Sequence, residues 1–141
     1  MSNVDVKELF NLRGKTALIT GGGGGIGTAC ARALANQGAS VLLVDINEVY
    51  LDEAVNALKA EGAAVKGICA DISNPFQAEK ITEAAVSFGG IDIFINSAAM
   101  IKRKPVLEMS DEECLEIINV NLNAAFYLGR AVGRHMVERG K

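Results

Sequence analysis

The sequence predicts an α/β fold: a doubly wound parallel sheet with strand order 3-2-1-4. Two patterns carry that prediction. Short, continuously apolar runs alternate with stretches of helical periodicity in the order βαβαβαβα. Strands apolar on both faces require helices on both faces, which is the parallel arrangement. Right-handed crossovers then set the third strand outside the second and the fourth beside the first, leaving a crevice at the carboxyl ends of strands one and four.

Each element follows from local chemistry. KTALIT (15–20) is the first buried strand, and five consecutive glycines (21–25) join it to an alanine-rich helix over 26–37 with Gly38 as its C-cap. SVLLVD (40–45) is the second strand. The next helix, 48–61, carries Val49, Leu51, Ala54, Val55 and Leu58 on one stripe and ends at Gly62. AVKGICAD (64–71) is the third strand. Asn74 as N-cap and Pro75 at the first helical position open a helix that Gly89-Gly90 stops, and IDIFINSA (91–98) is the fourth strand. After an irregular stretch, Ser110 and Glu113 form a capping-box pattern that opens a long helix toward Glu138. Its stripe of Cys114, Ile118, Leu122, Ala125, Gly129, Val132 and Met136 is expected to face the sheet.

Composition narrows the function classes. With 50% hydrophobic and 22% charged residues over 141 positions, the chain reads as one soluble globular domain rather than a disordered segment. The net charge is −3 and the basic residues are scattered except for Lys102, Arg103 and Lys104, which excludes a nucleic-acid footprint. No apolar run approaches the roughly 20 residues of a membrane span, and MSNVDVKELF lacks a signal peptide's apolar core. The expectation is a cytoplasmic protein without a membrane partner. Cys30, Cys69 and Cys114 are odd in number and widely spaced, so they are expected to be small core residues rather than a disulfide or zinc set. His135, among Arg134, Glu138 and Arg139, is expected on a solvated helix face.

The glycine run is the chemical signal. A strand, a glycine turn and a helix bring backbone N–H groups to an anion at the positive end of a helix dipole. A flexible linker would join independent units, whereas this run joins a strand to its own helix. Two spacings fit: Gly22, Gly24 and Gly27 as G-x-G-x-x-G, or Gly21, Gly25 and Gly27 as G-x-x-x-G-x-G. No Lys-Ser/Thr pair follows, which argues against a triphosphate P-loop and for a dinucleotide or another adenosine compound. Asp45 ends strand two, 18 residues beyond Gly27. An acid there accepts both hydroxyls of an adenosine ribose and repels a 2′-phosphate. With no Arg or Lys in the turn or just after Asp45, the sequence predicts NAD in preference to NADP.

These residues resemble the short-chain dehydrogenase/reductase family. TGGGGGIG (20–27) is similar to that family's T-G-x-x-x-G-[I/L]-G, which selects the second spacing and implies a cofactor cradle of Gly21, Gly24, Gly25, Ile26 and Gly27 in a Rossmann-like fold. Asp71-Ile72, NSAA (96–99) and NVNL (119–122) match further motifs in the expected order. The resemblance implies that Asp71 binds the adenine amino group and Ile72 the ring, that Asn96 through Ala98 line the adenosine ribose, and that Asn121 serves the proton relay. Ser97 and Ala99 depart from the family's N-N-A-G, which puts the local support of strand four in doubt. The loop AAMIKRKPVLEMSDEE (98–113) is similar to that of the sugar-acid-oxidising, gluconate 5-dehydrogenase-like branch, with Arg103 as a candidate carboxylate ligand. The implied reaction is hydride transfer between NAD(P) and a hydroxyl or carbonyl carbon of a small molecule, in a homo-oligomer.

The family's later Ser and its Tyr-x-x-x-Lys pair have no counterpart: Tyr50 and Tyr127 are followed four residues on by Ala54 and Ala131. The 141 residues are therefore expected to be the cofactor-binding half, ending before strand five, and inactive alone. Two alternatives fit less of the sequence. One is a non-catalytic nucleotide-binding or assembly subunit. The other is an S-adenosylmethionine-dependent methyltransferase, which NSAA and the NVNL helix do not suit.

Overall fold

The structure, a computed structural model, describes residues 6–140. After a short helix α1 (Val6–Leu9) come β1 (Thr16–Thr20), α2 (Gly25–Asn36), β2 (Ser40–Asp45), α3 (Glu48–Ala60), β3 (Val65–Cys69), α4 (Pro75–Phe88) and β4 (Ile93–Asn96). A 3-10 turn (Val106–Glu108) leads to α5 (Asp111–Ile118), a π-helical turn (Asn119–Asn123) and α6 (Ala124–Glu138). All strands are parallel, in the order β3-β2-β1-β4. The predicted topology is the observed one.

β1 is the keel of the sheet. Leu18 pairs with Leu42 on one side and Phe94 on the other. Alternation then sends its neighbours to two cores. Leu18 packs in a layer with Leu42, Val44, Ile81, Leu128 and Val132, under α4 and α6, while Ala17 and Ile19 pack with Val41, Leu43, Leu51 and Leu58, under α2 and α3. Each fully buried aliphatic side chain contributes about 1.5–3 kcal/mol, so the β1–β2 pair anchors the fold. The outer strands are less covered than the apolar runs imply. Lys66, Gly67 and Cys69 of β3 are exposed, because an edge strand has only one neighbour.

Local signals hold where side chains act on the backbone. Asn47 and Asn74 cap α3 and α4, accepting from the N–H groups of Tyr50 and Phe76 at 3.1 and 3.0 Å. Ser110 and Glu113 make the full capping box of α5. Asp92, between Gly90 and β4, accepts from the Thr16 N–H at 2.9 Å and lies 3.8 Å from both Lys15 and Arg139, tying the end of α6 to the start of the sheet.

Several expectations are corrected. Val49 is 64% exposed, because it stands two residues before Leu51 and so on the opposite side of α3 from the buried Leu51, Ala54, Val55 and Leu58. Of the expected stripe the long helix buries Val132, together with Ala124 and Leu128, and leaves Cys114, Ile118, Leu122 and Gly129 exposed. The π turn at Asn119–Asn123 changes the helical phase, and α5 buries none of its residues. Leu115, Ile118, Leu122 and Phe126 consequently form an exposed apolar stripe. Cys69 and Cys114 are exposed and Cys30 is half-buried, so none is a fully buried core residue. His135 is half-buried between α4 and α6, and its Nε2 is enclosed without a hydrogen-bond partner among the described residues. No helix among them is long and apolar enough to cross a membrane.

Candidate functional site

The carboxyl ends of β1, β2 and β4 open onto a cleft of about 240 Å³. Gly21, Gly24, Asp45, Asp71, Ile72 and Ala98 line it, with Ile46, Ser97 and Val120. Seven residues named from the sequence, Ser97 among them, thus meet at the predicted crevice. Gly25, Ile26, Gly27, Asn96, Asn121 and Arg103 do not line it.

The glycines divide into two groups with different reasons. Gly21 has φ +66°, and a Cβ there would stand 2.8 Å from the Ala98 backbone. A Cβ on Gly22 would meet Leu43 at 2.7 Å, and one on Gly23 would meet the backbone of Leu51 at 2.9 Å. A Cβ on Gly27 would fall far inside contact distance of the Gly21 carbonyl oxygen. These four are required by the protein's own packing. Gly25 differs: it has open space around it.

Backbone hydrogen bonds locate the free donors. The N–H of Gly22 bonds to the Val44 carbonyl at 3.0 Å, that of Gly23 to Asp45 Oδ2 at 2.9 Å, and that of Gly24 to the Gly21 carbonyl at 3.0 Å. Gly24 is the N-cap of α2 and has no side chain to offer, so no side chain caps this helix. The first N–H groups of an α-helix lack intrahelical acceptors. The backbone donors left open at the start of α2 are therefore those of Gly25, Ile26 and Gly27, not those of the whole glycine run. Asp45 is held at the rim, Oδ2 by Gly23 and Oδ1 by the Asn47 N–H at 2.9 Å. Asp71 makes an Asx turn, its Oδ1 accepting from Ser73 N–H and O–H at 2.9 and 2.7 Å.

The far wall is built by β4 and the π turn. Thr20 Oγ1 donates to Asn96 Oδ1 at 2.6 Å, and the Ser97 hydroxyl donates to the Thr20 carbonyl at 2.7 Å. Ser97 therefore supplies local support to the end of strand four with its own hydroxyl. Asn121 grips Met100 at both ends of one residue: its Oδ1 accepts from the Met100 N–H at 2.7 Å and its Nδ2 donates to the Met100 carbonyl at 2.9 Å. Neither contact was read from the sequence, although the polar NVNLN within an apolar helical pattern marked the place.

The basic trio resolves into unlike parts. Lys102 pairs with Glu116, and Lys104 with Glu113 at 2.9 Å. Both pairs tie the loop to α5. The Ser110 N–H and Lys104 hold the Glu113 carboxyl below its ordinary pKa, and Glu116 raises that of Lys102. Arg103 is exposed and makes no ion pair among the described residues.

A parallel 3-2-1-4 sheet with a helix of no side-chain cap opening beside a cleft at its switch point defines a doubly wound, Rossmann-like α/β protein. Residues 15–141 match the short chain dehydrogenase family, and the chain belongs to it. Gluconate 5-dehydrogenase of Gluconobacter oxydans is 36% identical over 135 residues, covering 95% of this chain and 53% of that protein. The crystal structure of a short-chain type dehydrogenase/reductase from Mycobacterium marinum superposes with a TM-score of 0.92 at 32% identity, over 97% of this chain and 56% of the other. That of NAD+-bound xylitol dehydrogenase gives 0.86 at 28% identity, over 91% and 50%. The chain spans about half the length of the relatives it matches. Family membership sets aside the methyltransferase alternative.

Proposed function

We propose that residues 1–141 form one dinucleotide-binding unit of a cytoplasmic oxidoreductase that prefers NAD to NADP and acts on a small polyhydroxylated acid. The observation that carries this reading is that Gly24, the N-cap that leaves α2 without a capping side chain, and Asp45 line the same cleft. The residues present fit a dinucleotide. Gly25 leaves open space where a phosphate would approach the N–H groups of Gly25, Ile26 and Gly27. Asp45 would accept the adenosine ribose hydroxyls and repel a 2′-phosphate. Asp71 and Ile72 would hold the adenine, and Asn96 through Ala98 the ribose on the opposite wall.

When bound, the nicotinamide supplies hydride exchange with a hydroxyl-bearing or carbonyl carbon. The chain's own residues bind and orient. Asn121 fixes Met100 and with it the wall of the cleft, and its place beside the site supports a part in handling the substrate proton. Arg103 is the basic residue of its trio left available for a carboxylate. The similarity to gluconate 5-dehydrogenase supports a sugar acid as substrate. No tyrosine here is followed by a lysine four residues on, so the 141 residues alone are expected to bind without turning over. The exposed Leu115, Ile118, Leu122 and Phe126 stripe supports self-association, because two antiparallel copies of one apolar helical face are self-complementary.

Calorimetry with the purified chain tests the reading. NADH is expected to bind at least tenfold more tightly than NADPH, and S-adenosylmethionine not at all. Equal affinity for NADH and NADPH would remove the Asp45 argument, and no binding of either would remove the dinucleotide assignment. Light scattering that shows only monomer at high concentration would remove the self-association.

A further inference from the structure

We infer that Ser97 is a positioning residue for the dinucleotide, setting the gap between the glycine turn and the end of β4 through its hydroxyl. This rests on the dinucleotide reading of the same cleft.

Two backbones meet at this seam without side chains between them. A Cβ on Gly21 would stand 2.8 Å from Ala98 Cα and N and 2.9 Å from the Ser97 carbonyl carbon. The distance across the seam is therefore set by whatever ties Thr20, immediately before Gly21, to residues 96–98. Four hydrogen bonds do so. Thr20 Oγ1 donates to Asn96 Oδ1 at 2.6 Å, and the Ser97 hydroxyl donates to the Thr20 carbonyl at 2.7 Å. The Ser97 N–H reaches the same carbonyl at 3.3 Å, and the Ala98 N–H reaches Thr20 Oγ1 at 3.4 Å.

The hydroxyl bond is the short one that ties Ser97 itself to β1. The two backbone N–H bonds, at 3.3 and 3.4 Å, are longer than the usual N–H···O range. Without the hydroxyl, the Thr20 carbonyl keeps only the 3.3 Å contact from the Ser97 N–H, and residues 97–98 lose their firmest tie to β1. Gly21 and Gly24 on one wall and Ser97 to Met100 on the other face the same 240 Å³ cleft, so a looser seam changes its width. Asn121 holds the far end of this wall at Met100, which leaves the Ser97 end as the place where the width is decided. A ligand spanning both walls needs that width preorganised.

The test compares Ser97→Ala and Ser97→Thr with the parent 141-residue chain. NADH affinity is measured well below the unfolding transition, and thermal stability is measured without ligand. Ser97→Ala is expected to weaken NADH binding about fivefold to tenfold, and Ser97→Thr, which keeps the donor, to restore it to within about twofold. A merely structural role would lower Tm and leave the affinity of the folded protein unchanged; that result overturns the inference, as does failure of the threonine to rescue. If the alanine variant does not fold, Ser97→Cys, of similar shape with a weak donor, takes its place with the same expected loss. If the parent chain itself binds no NADH, the dinucleotide reading falls and this inference with it. Normal NADH binding by the parent with an unchanged affinity in the variants sinks this inference alone.

Discussion

Gly25 and Gly27 stand two residues apart, and replacing each by alanine should produce opposite effects. At Gly27 the new methyl meets the Gly21 carbonyl oxygen, a backbone atom that cannot swing aside because it also accepts from the Gly24 N–H at 3.0 Å. Overpacking against backbone belongs at the upper end of the usual 1–3 kcal/mol, so Gly27→Ala should cost about 3 kcal/mol. For a chain of this size that lowers Tm by about 10 °C. Gly25 is the first residue of α2 and its methyl would meet nothing within 4 Å. Gly25→Ala should leave the fold intact and gain about 0.5 kcal/mol from the reduced freedom of the unfolded chain. Its methyl would stand beside the N–H groups assigned to the anion, weakening NADH by about tenfold, or about 1.4 kcal/mol. Thermal unfolding by circular dichroism and NADH titration on the same samples measure both. An unchanged NADH affinity in Gly25→Ala would refute the location of the cradle, and an unchanged Tm in Gly27→Ala would refute the packing account of the glycines.

Other outcomes follow from single contacts. Asp45→Asn keeps an oxygen for the Gly23 N–H but loses the charge that repels a 2′-phosphate, so the NADH-over-NADPH preference should fall by about tenfold, read by paired titrations. Asp92→Ala leaves the Thr16 N–H unsatisfied in a largely buried place and should cost about 2 kcal/mol in urea unfolding. Asn121→Ala frees Met100, whose amide should exchange with deuterium faster while the β1 amides stay protected. The Glu113 carboxyl is held below its ordinary value of 4.5, first by the Ser110 N–H and then by Lys104. A lowered folded pKa gives stability present above the unfolded value and lost as pH falls through the folded one. The α5 end should therefore loosen on acidification below 4.5, and Glu113→Gln should flatten that part of the profile measured by helical signal.

The sheet order, the caps and the crevice were legible because each rests on a rule that acts within a few residues or on chain handedness. Asn74-Pro75 and Ser110 with Glu113 are satisfied by their own backbone neighbours, and right-handed crossovers leave one arrangement for four such strands. That Gly21, Gly24 and Asp45 gather at one cleft was legible because glycine spacing and a strand-end acid are local signals. What the sequence concealed needs two distant segments at once. The bonds from Ser97 to Thr20 and from Asn121 to Met100 span 77 and 21 residues. The polar NVNLN marks where the π turn lies but not that it shifts the helical phase, so the apolar stripe was projected straight through it. The exposed Cys69 reflects the edge position of β3, a property of the sheet rather than of the residue.

The interrupted helix divides labour along one continuous rod. α6 is clamped against the sheet and α4, whereas α5 buries nothing and is held by its ion pairs with the 102–104 loop. Rewinding 119–123 as ordinary α-helix with no residue removed would give each of those residues the larger α rotation, and the free end would do the turning, by roughly a quarter turn. Glu113 and Glu116 would swing away from their lysines while Leu128 and Val132 stayed seated. Closing the π turn would thus unfasten the loop carrying Arg103 and leave the hydrophobic centre undisturbed, whereas losing one residue along with it would keep both in place.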